Sequence, residues 1–100
     1  MGLDRNESMT INTTALVVSK DKQNASPRDS IIIINTSTGG QKVTLAIDKE
    51  AVDGAGIVLY PGGSWQDSKE TGYKPTQKLI TAISDLAGGT IAIQERLGDK

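Results

Sequence analysis

The residues best suited to chemistry in this 100-residue chain are few, and each lacks a spacing or a partner that its reaction needs. Gly62-Gly63-Ser64-Trp65-Gln66 approaches a nucleophile elbow, but that motif is Gly-x-Ser-x-Gly on a strand-to-helix turn, and its serine needs a histidine base. The sequence has no histidine. Gly39-Gly40-Gln41-Lys42 sets a lysine after glycines, without the Gly-x4-Gly-Lys-Ser/Thr spacing or the helix of a phosphate loop. Asp48, Glu50 and Asp53 gather oxygen ligands suited to a weak calcium site; they do not follow the EF-hand spacing, and a solvated loop is the stronger reading. With no cysteine there is no thiolate nucleophile, no Cys-based metal site and no disulfide. The 12 acidic residues allow many carboxylate pairs for glycoside hydrolysis, and nothing distinguishes one of them. The expectation is a protein that is not an enzyme, with no catalytic residues, no cofactor and no metal.

Charge and length narrow the partners. Eleven basic against 12 acidic residues give a net charge of -1, which argues against binding nucleic acid through phosphate neutralisation. The longest apolar run, Ile31-Ile32-Ile33-Ile34, falls far short of the roughly 20 residues that a membrane-spanning helix requires. The first residues, Met1-Gly2-Leu3-Asp4-Arg5-Asn6-Glu7-Ser8, are polar where a signal peptide would be apolar, and Asn6 breaks the myristoylation pattern that Met1-Gly2 begins. Asn6, Asn12, Asn24 and Asn35 each open an Asn-x-Ser/Thr triplet, as a chain rich in Ser, Thr and Asn produces by chance. One domain is expected, since single domains most often run to about 100–150 residues.

What must position any site is a set of strands. Val43, Leu45 and Ile47 alternate with polar or small neighbours, as do Ile91, Ile93 and Leu97, the period-two pattern of a half-buried strand. Residues 14–19, 30–36, 56–60 and 79–84 are rich in the β-branched types that suit a pleated surface. Turn residues separate them at Asn24-Ala25-Ser26-Pro27, Ser37-Thr38-Gly39-Gly40, Asp53-Gly54-Ala55-Gly56, Pro61-Gly62-Gly63 and Gly88-Gly89. Gly39-Gly40 reads as a β-hairpin link, and 48–52 and 84–87 as single helical turns. Without long helices the apolar faces must cover one another. The predicted fold is therefore all-β, a two-sheet antiparallel β-sandwich or jelly-roll-like domain of six to eight short strands over residues 13–97. Residues 1–12 are expected as a flexible N-terminal arm and 98–100 as a flexible end.

The four consecutive isoleucines are apolar on both faces of one strand, whereas a two-layer sandwich roofs only one. Fully burying an Ile side chain contributes about 1.5–3 kcal/mol, so Ile32 and Ile34 call for a cover. The arm, the 61–78 loop or another copy of the chain could supply it. That loop carries the only Trp in the sequence, Trp65, with Tyr73 and Lys74 beside it. Aromatic residues on a long loop suit a contact hot spot, or serve to cap the sandwich and anchor the loop.

Taken in order, Pro27-Arg28 leading into Ser30 to Asn35, then Leu59-Tyr60-Pro61-Gly62, then Ile80-Thr81-Ala82-Ile83, then Ile91 to Glu95, resembles a small β-module of tailed-bacteriophage structural proteins. In that module an Arg precedes an aliphatic strand ending in Asn, a Pro-Gly turn sits midway and the last strand closes on a Glu. The resemblance implies a virion structural protein, foremost a capsid decoration (cement) protein on the capsid surface, made in the host cytoplasm. It would bind the major capsid protein and itself, as a homotrimer by preference, with no nucleic-acid or membrane partner. The alternative is a tail-fibre or neck-associated module, binding a receptor or carbohydrate or acting as an adaptor. Interface residues on this reading are Ile32, Ile34, Arg28, Trp65, Tyr73 and Lys74, and Arg28 has Glu95 as a candidate ion-pair partner.

Overall fold

Alternating β-branched residues set the strands, and the computed structural model, which describes residues 3–22, 27–68 and 75–98, contains eight of them. They are β1 (Leu3–Ile11), β2 (Leu16–Ser19), β3 (Arg28–Asn35), β4 (Val43–Ile47), β5 (Ile57–Leu59), β6 (Ser64–Ser68), β7 (Ile80–Ser84) and β8 (Gly89–Leu97). Two four-stranded sheets form, ordered β1-β8-β3-β6 and β2-β7-β4-β5, and every pairing is antiparallel. The pairs β1·β8, β2·β7, β3·β6 and β4·β5 are those of one long hairpin; rolling it up adds β8·β3 and β7·β4. The result is a jelly roll, the all-β sandwich that the alternation predicts.

Side chains at alternate positions meet between the sheets. Ile11, Ile31, Ile33, Ile91 and Ile93 from the first sheet pack against Val18, Val43, Leu45, Leu59, Ile80 and Ala82 from the second. The four-isoleucine run divides as its parity requires: Ile31 and Ile33 are fully buried, Ile32 is half-buried and Ile34 is 38% exposed on the outer face.

Several local expectations are corrected. Residues 3–11, expected within a flexible arm, form the nine-residue edge strand β1, paired from Leu3↔Leu97 to Ile11↔Gly89. Residues 64–68, expected in a loop, form the opposite edge strand β6. Gly39-Gly40 is not a hairpin turn, because β3 and β4 belong to different sheets; the two glycines lie on a crossing. Only β4 and β5 are joined as sequential neighbours within one sheet. No helix occurs among the described residues: 48–52 is an irregular segment ending in a bridge from Val52 to Ala55, and Ser84 closes β7 before the bends and turn at 85–87.

The β4–β5 connection roofs the outer face of the second sheet. Ala51 is buried there, Thr81 Oγ1 donates to Lys49 O at 2.6 Å, and Gly54 N–H donates to Thr44 Oγ1 at 3.1 Å. Gly56 ends this roof at φ 148°, where an added Cβ would lie 2.5 Å from the Leu45 carbonyl oxygen. Only glycine fits that approach. Among the described residues, no equivalent element covers the first sheet.

Candidate functional site

The two ends of β3 are each fixed by a buried polar residue. At its start Arg28 is 1% exposed, and all five N–H donors of its guanidinium are used. Nε donates to Glu95 Oε2 at 2.7 Å, one terminal nitrogen to Ser19 Oγ and Lys20 O, and the other to Thr76 O and Lys78 O. Ser19 Oγ in turn donates to Glu95 Oε2 at 2.7 Å. The other carboxylate oxygen receives Arg5 at 3.2 Å and lies 3.6 Å from Lys22 Nζ. Burial alone would push the Glu95 carboxyl up; the bonds from Arg28 and Ser19, with the charges of Lys22 and Arg28, outweigh it and hold the group below the usual carboxylate range. The Arg28–Glu95 pair expected from sequence is thus present, as an internal tie between β3, β8, the end of β2 and residues 76–78.

At the other end Asn35 is fully buried, donating through Nδ2 to Gln41 O and Leu59 O, both at 2.8 Å, and accepting Ser37 N–H at 2.9 Å. Its backbone bonds Gly62 and Gly63. One amide therefore holds the crossing after β3 and the Pro61-Gly62-Gly63 turn together. Each of these buried side chains thus has its hydrogen-bond partners within the fold.

The outer face of the first sheet is different in character. Cross-strand register arranges its outward side chains in rows: Asp4, Arg96, Ser30, Ser68; Asn6, Gln94, Ile32, Gln66; Ser8, Ala92, Ile34, Ser64. A further row brings Thr36 Oγ1 within 3.0 Å of Thr90 Oγ1. In these rows the only charges are Asp4 and Arg96, which pair at 3.5 Å at one margin. The rest is small or uncharged, with Ile32 and Ile34 at its centre beside Ala92. A shallow groove of about 440 Å³ runs here, bordered by Asn6, Ser8, Ile32, Ile34, Ala92 and Gln94, with Ile93 and the exposed, charged Glu7 also at its edge. Away from the Asp4–Arg96 pair and Glu7, the exposed side chains of this face are uncharged and partly apolar.

The sequence-predicted residues therefore separate. Ile32 and Ile34 lie together on the open face. Arg28 is buried in the internal tie and offers no surface in the single chain, because its whole hydrogen-bonding capacity is spent on Glu95, Ser19 and backbone carbonyls. Trp65 sits on the inner side of β6 opposite Ile33, half-buried against the core. Tyr73 and Lys74 lie outside the described residues. Sequence reasoning missed Ser19, Arg5 and Lys22 around Glu95, and the signal for Arg5 was present: with Glu7 it occupies inward positions of a strand whose remaining inward residues, Met9 and Ile11, are apolar.

No protein-family model and no curated protein matches this chain. Among solved structures it is similar to a chain of Bacillus endospore appendages, described as a novel family of disulfide-linked pili. The TM-score is 0.64 and the identity 17%, covering 100% of this chain and 88% of that one. The likeness is one of fold. The whole of this jelly roll has a counterpart there, at an identity too low to carry activity or partners across.

Proposed function

We propose that this chain is a structural subunit of an assembled particle, a capsid decoration protein of a tailed phage that works by packing surfaces together and performs no catalysis. The observation that carries this reading is the uncharged outer face of the first sheet, with Ile32 and Ile34 at its centre and no described element of the same chain above it. A lattice contact needs a rigid platform, and the two buried polar ties at the ends of β3 supply one. The ordered resemblance from Arg28 through Glu95 to phage structural modules supports a virion as the particle, and self-association would multiply weak contacts across adjacent capsomers. The alternative within the same class is a tail-fibre or neck-associated module; Trp65, its candidate hot spot, has much of its ring against the core.

A second reading draws on the appendage neighbour: a subunit of an extracellular filament. That relative is disulfide-linked, and this sequence has no cysteine, so a filament of this chain would be held without disulfides. Copy number separates the readings. Quantitative mass spectrometry of purified virions is expected to find hundreds of copies per particle. A handful of copies would place the protein at the neck or tail, and absence from virions together with recovery from surface filaments would replace the capsid reading altogether.

A further inference from the structure

β1 is an edge strand, and among the described residues nothing pairs with its outer side. Which backbone groups face that side follows from parity. Thr36 N–H donates to Thr90 O, so Thr90 bonds toward β3, and in an antiparallel ladder successive residues bond to opposite sides. The odd residues of β8 therefore bond toward β1. Because the β1·β8 register is unbroken from Leu3↔Leu97 to Ile11↔Gly89, the odd residues of β1 answer them. The N–H and C=O groups of Asp4, Asn6, Ser8 and Thr10 are left facing outward. Edges are usually blunted by proline, by charged side chains, lysine above all, by bulges or by shortness. The second sheet follows that rule, with edges of four residues in β2, broken in register, and three in β5. β1 has nine residues, no proline, no lysine and no bulge, and its charges, Asp4, Arg5 and Glu7, are of both signs, so they repel a second strand only in the wrong register.

Its sequence also complements itself. Leu3-Asp4-Arg5-Asn6-Glu7-Ser8-Met9 is a chemical palindrome about Asn6. Antiparallel to a second copy and centred there, it sets Asn6 opposite Asn6 of the partner subunit, Arg5 opposite Glu7, Asp4 opposite Ser8 and Leu3 opposite Met9. Opposite charges face each other twice, forming a square of alternating sign, and opposite-charge cross-strand pairs stabilise a ladder. Even residues meet even residues, as the free backbone groups require. Centring one residue earlier sets arginine against arginine, and one residue later glutamate against glutamate.

We propose that two copies of this chain pair through β1 in the Asn6-centred register about a two-fold axis, joining their first sheets into one eight-stranded sheet. The inference rests on the self-association in the reading above and gives it a geometry. It also makes the two outer faces continuous, since the side chains of Asp4, Asn6, Ser8 and Thr10 lie on them, and brings the two Asp4–Arg96 pairs beside the seam.

Asn6→Pro tests the pairing. The N–H that it removes faces the free edge, so the ladder to β8 stays intact, and proline is tolerated on the solvent side of an edge strand. Light scattering of the wild-type chain is expected to give twice the 10.5 kDa chain mass. Asn6→Pro should give the monomer with an unchanged circular dichroism spectrum. Glu7→Lys, at a half-exposed side chain with the backbone unaltered, should also give the monomer. Hydrogen exchange should slow at the Asn6 and Ser8 amides of the wild type on concentration and recover on dilution. An oligomer of any size that persists in both variants overturns the β1 pairing and leaves self-association standing. A wild-type chain that stays monomeric at about millimolar concentration removes both.

Discussion

Glu95 is the residue on which the interior charge balance turns. Removing one partner of a buried ion pair strands the other, at a cost of about 3–5 kcal/mol. Glu95→Gln is therefore expected to lower the unfolding free energy, measured by urea titration, by that amount, because Arg28, Arg5 and Lys22 then share no buried anion. Arg28→Lys should also destabilise, since an ammonium cannot serve five acceptors in a fork. The pH dependence has a definite sign. The Glu95 carboxyl titrates lower in the native chain than in the unfolded one, so its contribution is complete above the unfolded value of about 4.3 and disappears as pH falls through the depressed native value. Urea midpoints measured across the acid range should fall more gently in Glu95→Gln than in the wild type. Asn35→Ala, which frees two carbonyls and one N–H at the other end of β3, should cost on the order of 2–3 kcal/mol.

At the scale of elements, the strands differ in how far sequence reveals them. β2, β3, β4, β5, β7 and β8 are legible because their inward positions are aliphatic. β1 and β6 are hidden because theirs are only partly so: Arg5, bonded to both Glu7 and Glu95, interrupts β1, and Asp67, which accepts the Thr76 N–H at 2.8 Å, follows Trp65 in β6. Alternation between apolar and polar residues marks a strand only where the core needs apolar side chains, and the polar end of this sandwich does not. The Gly39-Gly40 misreading has another cause. Turn chemistry specifies a reversal locally, whereas the sheet that the next strand joins is decided by the whole rolled hairpin. The open face was legible in the four isoleucines, and so was the Arg28–Glu95 pair, through the order of its motifs. Ser19 and Lys22 were not, since nothing local ties a serine or lysine to a carboxylate some 70 positions away. The roof over the second sheet makes a prediction of its own. Gly56→Ala forces a Cβ against the Leu45 carbonyl at a strained backbone angle, and calorimetry should register a loss of about 1–3 kcal/mol.

For the molecule as a whole, the asymmetry between its two broad faces is the functional statement. The second sheet is roofed by its own β4–β5 connection. The first presents a flat field of small uncharged side chains with two isoleucines at the centre, on a scaffold whose polar groups are satisfied internally. Ile34→Lys plants a charge in that field at a side chain already 38% exposed, so it should alter folding stability by no more than about 0.5 kcal/mol. On the proposed reading, its effect falls on assembly. The most direct measurement, on that capsid reading, is co-sedimentation with undecorated capsids. The wild type should pellet with them at a saturable, fixed ratio while Ile34→Lys, folded to the same melting temperature, remains in the supernatant. A wild-type chain that stays in the supernatant, or an Ile34→Lys chain that pellets equally well, would contradict the account.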